Sequence, residues 1–228
     1  MGANLLSAVP PSAAGFFRLA AGSAASGEPV AVATLAAMPD TRERLEAYRL
    51  SFDDWLRLPE GDGLCEVIDG ELFMSPAPNV GHQGVVRQLT LLLGGHLGKE
   101  GCARLFHAPT ALRLGEKALQ PDLMVLPPDT QRPAADAVAI EIVPLLVVEV
   151  LSPGTAHRDL GIKKVAYAAG GVGEYWIVDP VRATVDRLAL AAEGYETTAV
   201  FGRGQLLTSP TFADLALPLD DLFPPVAG

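Results

Sequence analysis

One glutamate stands inside an otherwise aliphatic run, Leu145-Leu146-Val147-Val148-Glu149-Val150-Leu151. Such a run reads as a strand apolar on both faces, as at the centre of a sheet. A carboxylate in that setting costs several kcal/mol unless it is paired, protonated or bound to a metal. A structural ion pair or an edge position facing water would also account for it. Burial favours a functional role, because buried charges are rare without partners. A second carboxylate, Asp122, follows Pro121 directly before another apolar run, Leu123-Met124-Val125. Proline suits the first position of a strand, although an aspartate after proline also serves in turns. Two strands entering one sheet, each with one carboxylate, can present both to a single hard cation such as magnesium, whose shell is completed by water and substrate phosphate. The positive charge such a site needs is available from Lys163, one helical turn after Asp159 and one before Tyr167. Spacing alone fits an exposed Asp159–Lys163 pair equally well, and Lys164 is a rival.

These residues need a scaffold. Ser51 reads as the N-cap of a short helix with Asp53 and Asp54 in its first turn and Pro59 at its end. The run LCEVIDGELFMS carries two β-type segments about Asp69-Gly70, a hairpin signal. Residues 79–97 place Val85, Val86, Leu89, Leu92, Leu93 and Leu97 at helical spacing behind Asn79 as cap. CARLFHAPTALRL reads as one long strand or two shorter ones. Residues 157–169 predict a helix stopped by Gly170-Gly171. EYWIVD is a further strand, and residues 184–191 and 195–201 predict a closing hairpin. One mixed sheet flanked by helices is the economical α/β (α+β) arrangement. The two glycine pairs lack the neighbours of a P-loop or a dinucleotide fingerprint.

The 228 residues suffice for one well-buried domain, expected over residues 41–228 with a short helix at 40–50. Residues 1–40 are rich in Ala, Gly, Ser and Pro and read as a flexible extension. No run approaches the roughly 18 apolar residues of a membrane span. The first apolar stretch lacks a basic cap and is broken by Arg18, so no secretory leader and a cytoplasmic location are expected. Cys65 and Cys102 fit no metal spacing and read as buried thiols. The net charge of −10 argues against a basic phosphate-binding surface. The acidic excess lies in the flanks, however; acids and bases balance between residues 72 and 190. A neutral core can bind DNA through a divalent metal.

Pro121-Asp122, Glu149 in VVEVLSP, a helical lysine and EYWIVDP follow one another in an order that resembles the Uma-two family of the PD-(D/E)XK superfamily. The resemblance runs from about Phe52 to the C-terminus, through CEVIDGELFMSPAPNVGHQ, QPDLMVL and LLVVEVLSPGTAHRDLGIKKVAYAAGGVGEYWIVDP. It implies a restriction-endonuclease-like fold, a mixed central sheet flanked by helices, and metal-dependent hydrolysis of DNA phosphodiester bonds. By the resemblance, Asp122 and Glu149 are metal ligands, Glu66 joins their shell, and Lys163 is the catalytic lysine. His82 falls where the family often has histidine, in the first turn of the long helix, where it either touches substrate or accepts a backbone bond. The Val150 carbonyl is expected to complete the magnesium or manganese shell. The superfamily lysine normally lies two residues after the acid; Leu151 stands there, and the helical lysine replaces it. Cutting both strands would be easiest for a homodimer. The competing expectation is a non-catalytic interaction protein that keeps the nuclease fold; a third is hydrolysis of another phosphate ester.

Overall fold

A computed structural model describes residues 49–58 and 64–223. The extension expected at 1–40 lies outside the described residues, as does the helix expected at 40–50 except for its last two positions. Those two, Arg49 and Leu50, are not helical, and the Leu50 N–H donates to the Gly70 carbonyl at 3.0 Å.

Local chemistry sets the first elements. Ser51 caps α1 (Phe52–Leu56): its hydroxyl accepts from the Asp54 N–H while the Asp54 carboxylate accepts from the Ser51 N–H. Strands β1 (Leu64–Ile68) and β2 (Glu71–Ser75) form the expected antiparallel hairpin about Asp69-Gly70. Helix α2 (Val80–Cys102) begins at Asn79, whose side chain accepts from the His82 N–H at 2.9 Å. Its regular geometry breaks at Gly98, where φ is 66°, a left-handed value that favours glycine. The break falls one residue beyond the expected end, and a last turn runs on to Cys102.

CARLFHAPTALRL resolves into two strands, β3 (Leu105–His107) and β4 (Ala111–Leu114), which join different sheets. After β5 (Lys117–Leu119), β6 (Leu123–Val125), β7 (Ala139–Ile140) and β8 (Leu146–Val150), the helix expected at 157–169 is divided into α3 (Ala156–Leu160) and α4 (Ile162–Ala169). The division falls at Gly161, where a Cβ would stand 2.9 Å from the His157 carbonyl oxygen. Strand β9 (Glu174–Asp179) and the hairpin β10 (Thr184–Ala191) and β11 (Gly194–Phe201) follow as expected. The short pair β12 (Leu206–Leu207) and β13 (Leu217–Pro218) and helix α5 (Leu219–Leu222) end the described chain.

In place of the single sheet expected from the sequence there are two large sheets besides the short pair β12 and β13. The mixed central sheet has six strands in the order β11-β10-β9-β8-β6-β3, with β8 and β9 parallel and the other neighbours antiparallel. A second, five-stranded sheet runs β2-β1-β5-β4-β7. The central sheet is apolar on both faces, and each face has its own cover. Leu123, Val125, Leu146, Val148, Val150, Trp176 and Val178 cluster with Leu89 and Leu93 of α2 and with Leu207, Phe212, Leu215, Leu219, Leu222 and Phe223. Met124, Val147, Tyr175 and Ile177 cluster with Ile68, Leu112, Leu114 and Leu119 of the second sheet and with Ala166 and Tyr167 of α4. Tyr175 and Trp176 are therefore core residues. All five residues of β8 are buried.

The Asn79 cap fixes the start of the helix that carries His82. Asn79→Ala is expected to lower unfolding free energy by about 1 kcal/mol, read as a lower urea midpoint at unchanged m-value. An unshifted midpoint would show that the cap contributes nothing.

Candidate active site

The register of β6 and β8 pairs Leu123 with Val148, so the next step sets Asp122 opposite Glu149. Residues directly opposite in antiparallel strands project to the same face. That face carries Met124 and Val147 and looks towards the second sheet and α4. The two carboxylates, drawn from segments 27 residues apart in sequence, thus line one cavity of about 450 Å³ with Glu66, His82, Asp159 and Lys163. Loops 75–79, 108–109 and 152–155 form its walls.

Asp122 is held through one oxygen. Its Oδ2 accepts from the Val150 N–H at 2.7 Å and lies 3.1 Å from His82 Nε2. The Val150 carbonyl leaves the strand on the same edge as its N–H, towards Asp122. Burial pulls the His82 imidazole pKa down, but the Asp122 carboxylate outweighs that and holds it above the usual 6.5. The other ring nitrogen, Nδ1, is buried without a hydrogen-bond partner among the described residues.

Glu149 is 3% exposed and Lys163 5%, and their charges meet at 2.7 Å. Lys163 Nζ also lies 3.1 Å from Glu66 Oε1 and 3.5 Å from Asp159 Oδ1. Glu66 is fixed in turn by the Gln120 N–H at 2.8 Å, and Glu149 Oε1 accepts from the Tyr167 hydroxyl at 2.5 Å. Desolvation raises the Glu149 pKa well above the ordinary carboxylate range, and neighbouring carboxylates add to the rise against the pull of Lys163. The same balance of burial and charge raises Asp159 to about 6. Burial would lower the Lys163 pKa, but Glu149, Glu66 and Asp159 overcome it and raise it, so the ammonium stays protonated.

The choice between lysines follows. Lys163 lines the cavity and is buried; Lys164 is half-buried and outside the lining. Asp159, for which spacing left an exposed ion pair and a functional stripe equally open, is a buried cavity residue. The helical stripe Asp159, Lys163, Tyr167 was its signal, though spacing does not say which way a stripe faces. His96, His107 and His157 are exposed and away from the cavity, and Cys65 is a half-buried free thiol.

Four carboxylates line this cavity beside Lys163, Arg158 and His82, and clustered oxygen donors suit a hard divalent cation. Among the described residues, no three His, Cys, Asp or Glu side chains form a ready ligand group. The cross-strand pair Asp122 and Glu149, with the Val150 carbonyl, forms a set that could hold an ion, and Glu66 lies beside it on the same Lys163. Each of the two carboxylates commits one oxygen to protein donors; among the described residues no donor reaches Asp122 Oδ1 or Glu149 Oε2.

Residues 52–220 match the Uma2 (Uma-two) family, described as "Putative restriction endonuclease". The chain belongs to the Uma2 family. A crystal structure of "a putative nuclease belonging to DUF820" from Anabaena variabilis shares the fold with a TM-score of 0.66. The two chains are 23% identical over 76% of this Uma2 chain and 97% of the other. No curated protein shows significant similarity to the sequence. Among the described residues of this Uma2 protein, no helix is long and apolar enough to cross a membrane.

Two outcomes are expected. By NMR, His82 titrates above pH 6.5, and in Asp122→Asn its midpoint falls, because the main group opposing burial is removed; an unmoved midpoint would deny the pairing. Lys163→Met removes the ammonium that pairs with Glu149, Glu66 and Asp159 and should cost roughly 3–5 kcal/mol at pH 8. A carboxylate whose folded pKa is raised withholds stability above its unfolded value and returns it on protonation. Part of the loss should therefore be recovered as pH falls, starting above the value of about 6 that Asp159 has with Lys163 present, because the lysine no longer lowers it. Equal losses at pH 8 and pH 5 in urea titrations would contradict this.

Proposed function

We propose that this protein is a divalent-metal-dependent endonuclease that hydrolyses phosphodiester bonds in DNA. The observation that carries the reading is the placement of Asp122 opposite Glu149 in one cavity, with Lys163 2.7 Å from Glu149. Membership of a family described as "Putative restriction endonuclease" supports it.

In this reading Asp122 and Glu149, with the Val150 carbonyl, hold magnesium or manganese, and Glu66 supports the shell through Lys163. The bound ion polarises a phosphoryl oxygen and lowers the pKa of water. Lys163 keeps its ammonium in the cavity, where it orients the attacking water or offsets charge gathering on the phosphate. His82 serves by holding Asp122: Nε2 is engaged with that carboxylate and Nδ1 is sealed from the cavity. The acidic excess of the chain keeps DNA affinity low without the cation, since like charges repel.

Glu149→Gln, which keeps the side-chain shape, is expected to abolish Mg²⁺-dependent nicking of plasmid DNA while circular dichroism stays native. Undiminished nicking would remove the reading, and failure of the wild type to bind Mg²⁺ at millimolar concentration would favour a non-catalytic interaction protein. Ligation needs deprotonated carboxylates, and the cavity raises the pKa values of Glu149 and Asp159. Mn²⁺ binding should therefore release protons and tighten from pH 6 to pH 8. Calorimetry in buffers of different ionisation enthalpy reads both; pH-independent binding without proton release would place the ion elsewhere.

A further inference from the structure

Glu149 is gripped on one side only. The Tyr167 hydroxyl and the Lys163 ammonium both donate to Oε1, at 2.5 and 2.7 Å. The first distance is that of a charge-assisted O–H···O⁻ bond. Tyr167 is fully buried, and its ring lies 5.3 Å from that of Tyr175, so the hydroxyl has little freedom to leave. Lys163 and Tyr167 are successive turns of one helical stripe, which fixes the two donors relative to each other. The Asp122 carboxylate is treated in the same way, with Val150 and His82 on Oδ2. Both acids of the pair are thus pinned by one oxygen, and the second oxygen of each has no protein donor among the described residues.

We propose that Tyr167 is a positioning residue that clamps Glu149 Oε1 and thereby presents Oε2 to a divalent cation in the cavity. The inference rests on the metal-dependent reading above and adds a residue which that reading does not use. Groups that orient a ligating carboxylate typically contribute about 10-fold or more to metal affinity. Tyr175 offers an internal comparison. It is equally buried and packed against the Tyr167 ring, but its hydroxyl donates to the Asp159 backbone carbonyl at 3.0 Å and does not touch Glu149.

The test measures Mn²⁺ binding by calorimetry for the full chain as wild type, Tyr167→Phe and Tyr175→Phe, each with a thermal melt. The expected result is about a 10-fold weaker Kd for Tyr167→Phe and an unchanged Kd for Tyr175→Phe, although both variants lose a buried hydroxyl and melt lower. Wild-type affinity in Tyr167→Phe, or the same loss in both variants, would overturn the inference. A wild type that binds no Mn²⁺ would instead overturn the metal-dependent reading, and this inference with it. A second measurement does not depend on any variant folding. In the wild type, the Tyr167 hydroxyl proton should resonate far downfield and move when Mg²⁺ is added. A resonance unmoved at saturating Mg²⁺ would count against the clamp.

Discussion

Lys163 carries its charge into a place largely removed from bulk water, and Glu149, Glu66 and Asp159 carry theirs to meet it. None of these groups is easily tolerated there alone: a buried charge without partners costs several kcal/mol, a large share of a domain's stability of about 5–15 kcal/mol. The cluster therefore has to form as a whole. Each member comes from a different element: Glu66 from the second sheet, Glu149 from the central sheet, and Asp159 and Lys163 from consecutive helices. The polar cluster obliges these elements to arrive in one arrangement, while the apolar surroundings supply most of the driving force. The division of the helix at Gly161 serves the same end, placing Asp159 and Lys163 around one point from two short helices.

The stacking of the two sheets follows from the same requirement. A carboxylate pair on the open face of a sheet would be solvated and would have little effect on its own protonation. The second sheet and α4 cover that face, and the burial raises the pKa values of Glu149 and Asp159 in the cavity they line. The cover makes the site electrostatically demanding, which is the condition under which an added cation interacts strongly.

Much of this was legible beforehand. The aliphatic run around Glu149 specified a central strand, because only burial on both faces tolerates such composition. Asp69-Gly70 specified its hairpin, and Asn79 and Ser51 specified helix starts through side chains that satisfy free N–H groups. Asp122, Glu149, Glu66, His82 and Lys163 do share one cavity, although assigning Glu66 and His82 needed the family resemblance as well as the residues themselves. Other features were hidden for physical reasons. Alternation along a strand tells which residues share a face but not which sheet the strand joins, so the second sheet was missed. Spacing on a helix defines a stripe but not its direction, so spacing alone neither separated Lys163 from Lys164 nor told whether Asp159 is exposed. The break at Gly161 was concealed because the apolar pattern continues through it.

Residues 207–223 close the outer face of the central sheet, and their attachment is polar as well as apolar. Glu174, at the start of β9, accepts from Trp176 and from the hydroxyls of Ser209 and Thr211, which fastens the returning chain to the sheet. A ribosome delivers this protein from its N-terminal side, so every element of the carboxylate cluster has left the exit tunnel before that cover has been made. Throughout this interval Leu89, Leu93, Val148 and Trp176 lack part of their final packing. The nascent chain thus holds the complete set of site residues while one flank of its core remains open and adhesive, a stage at which chaperone occupancy would matter most.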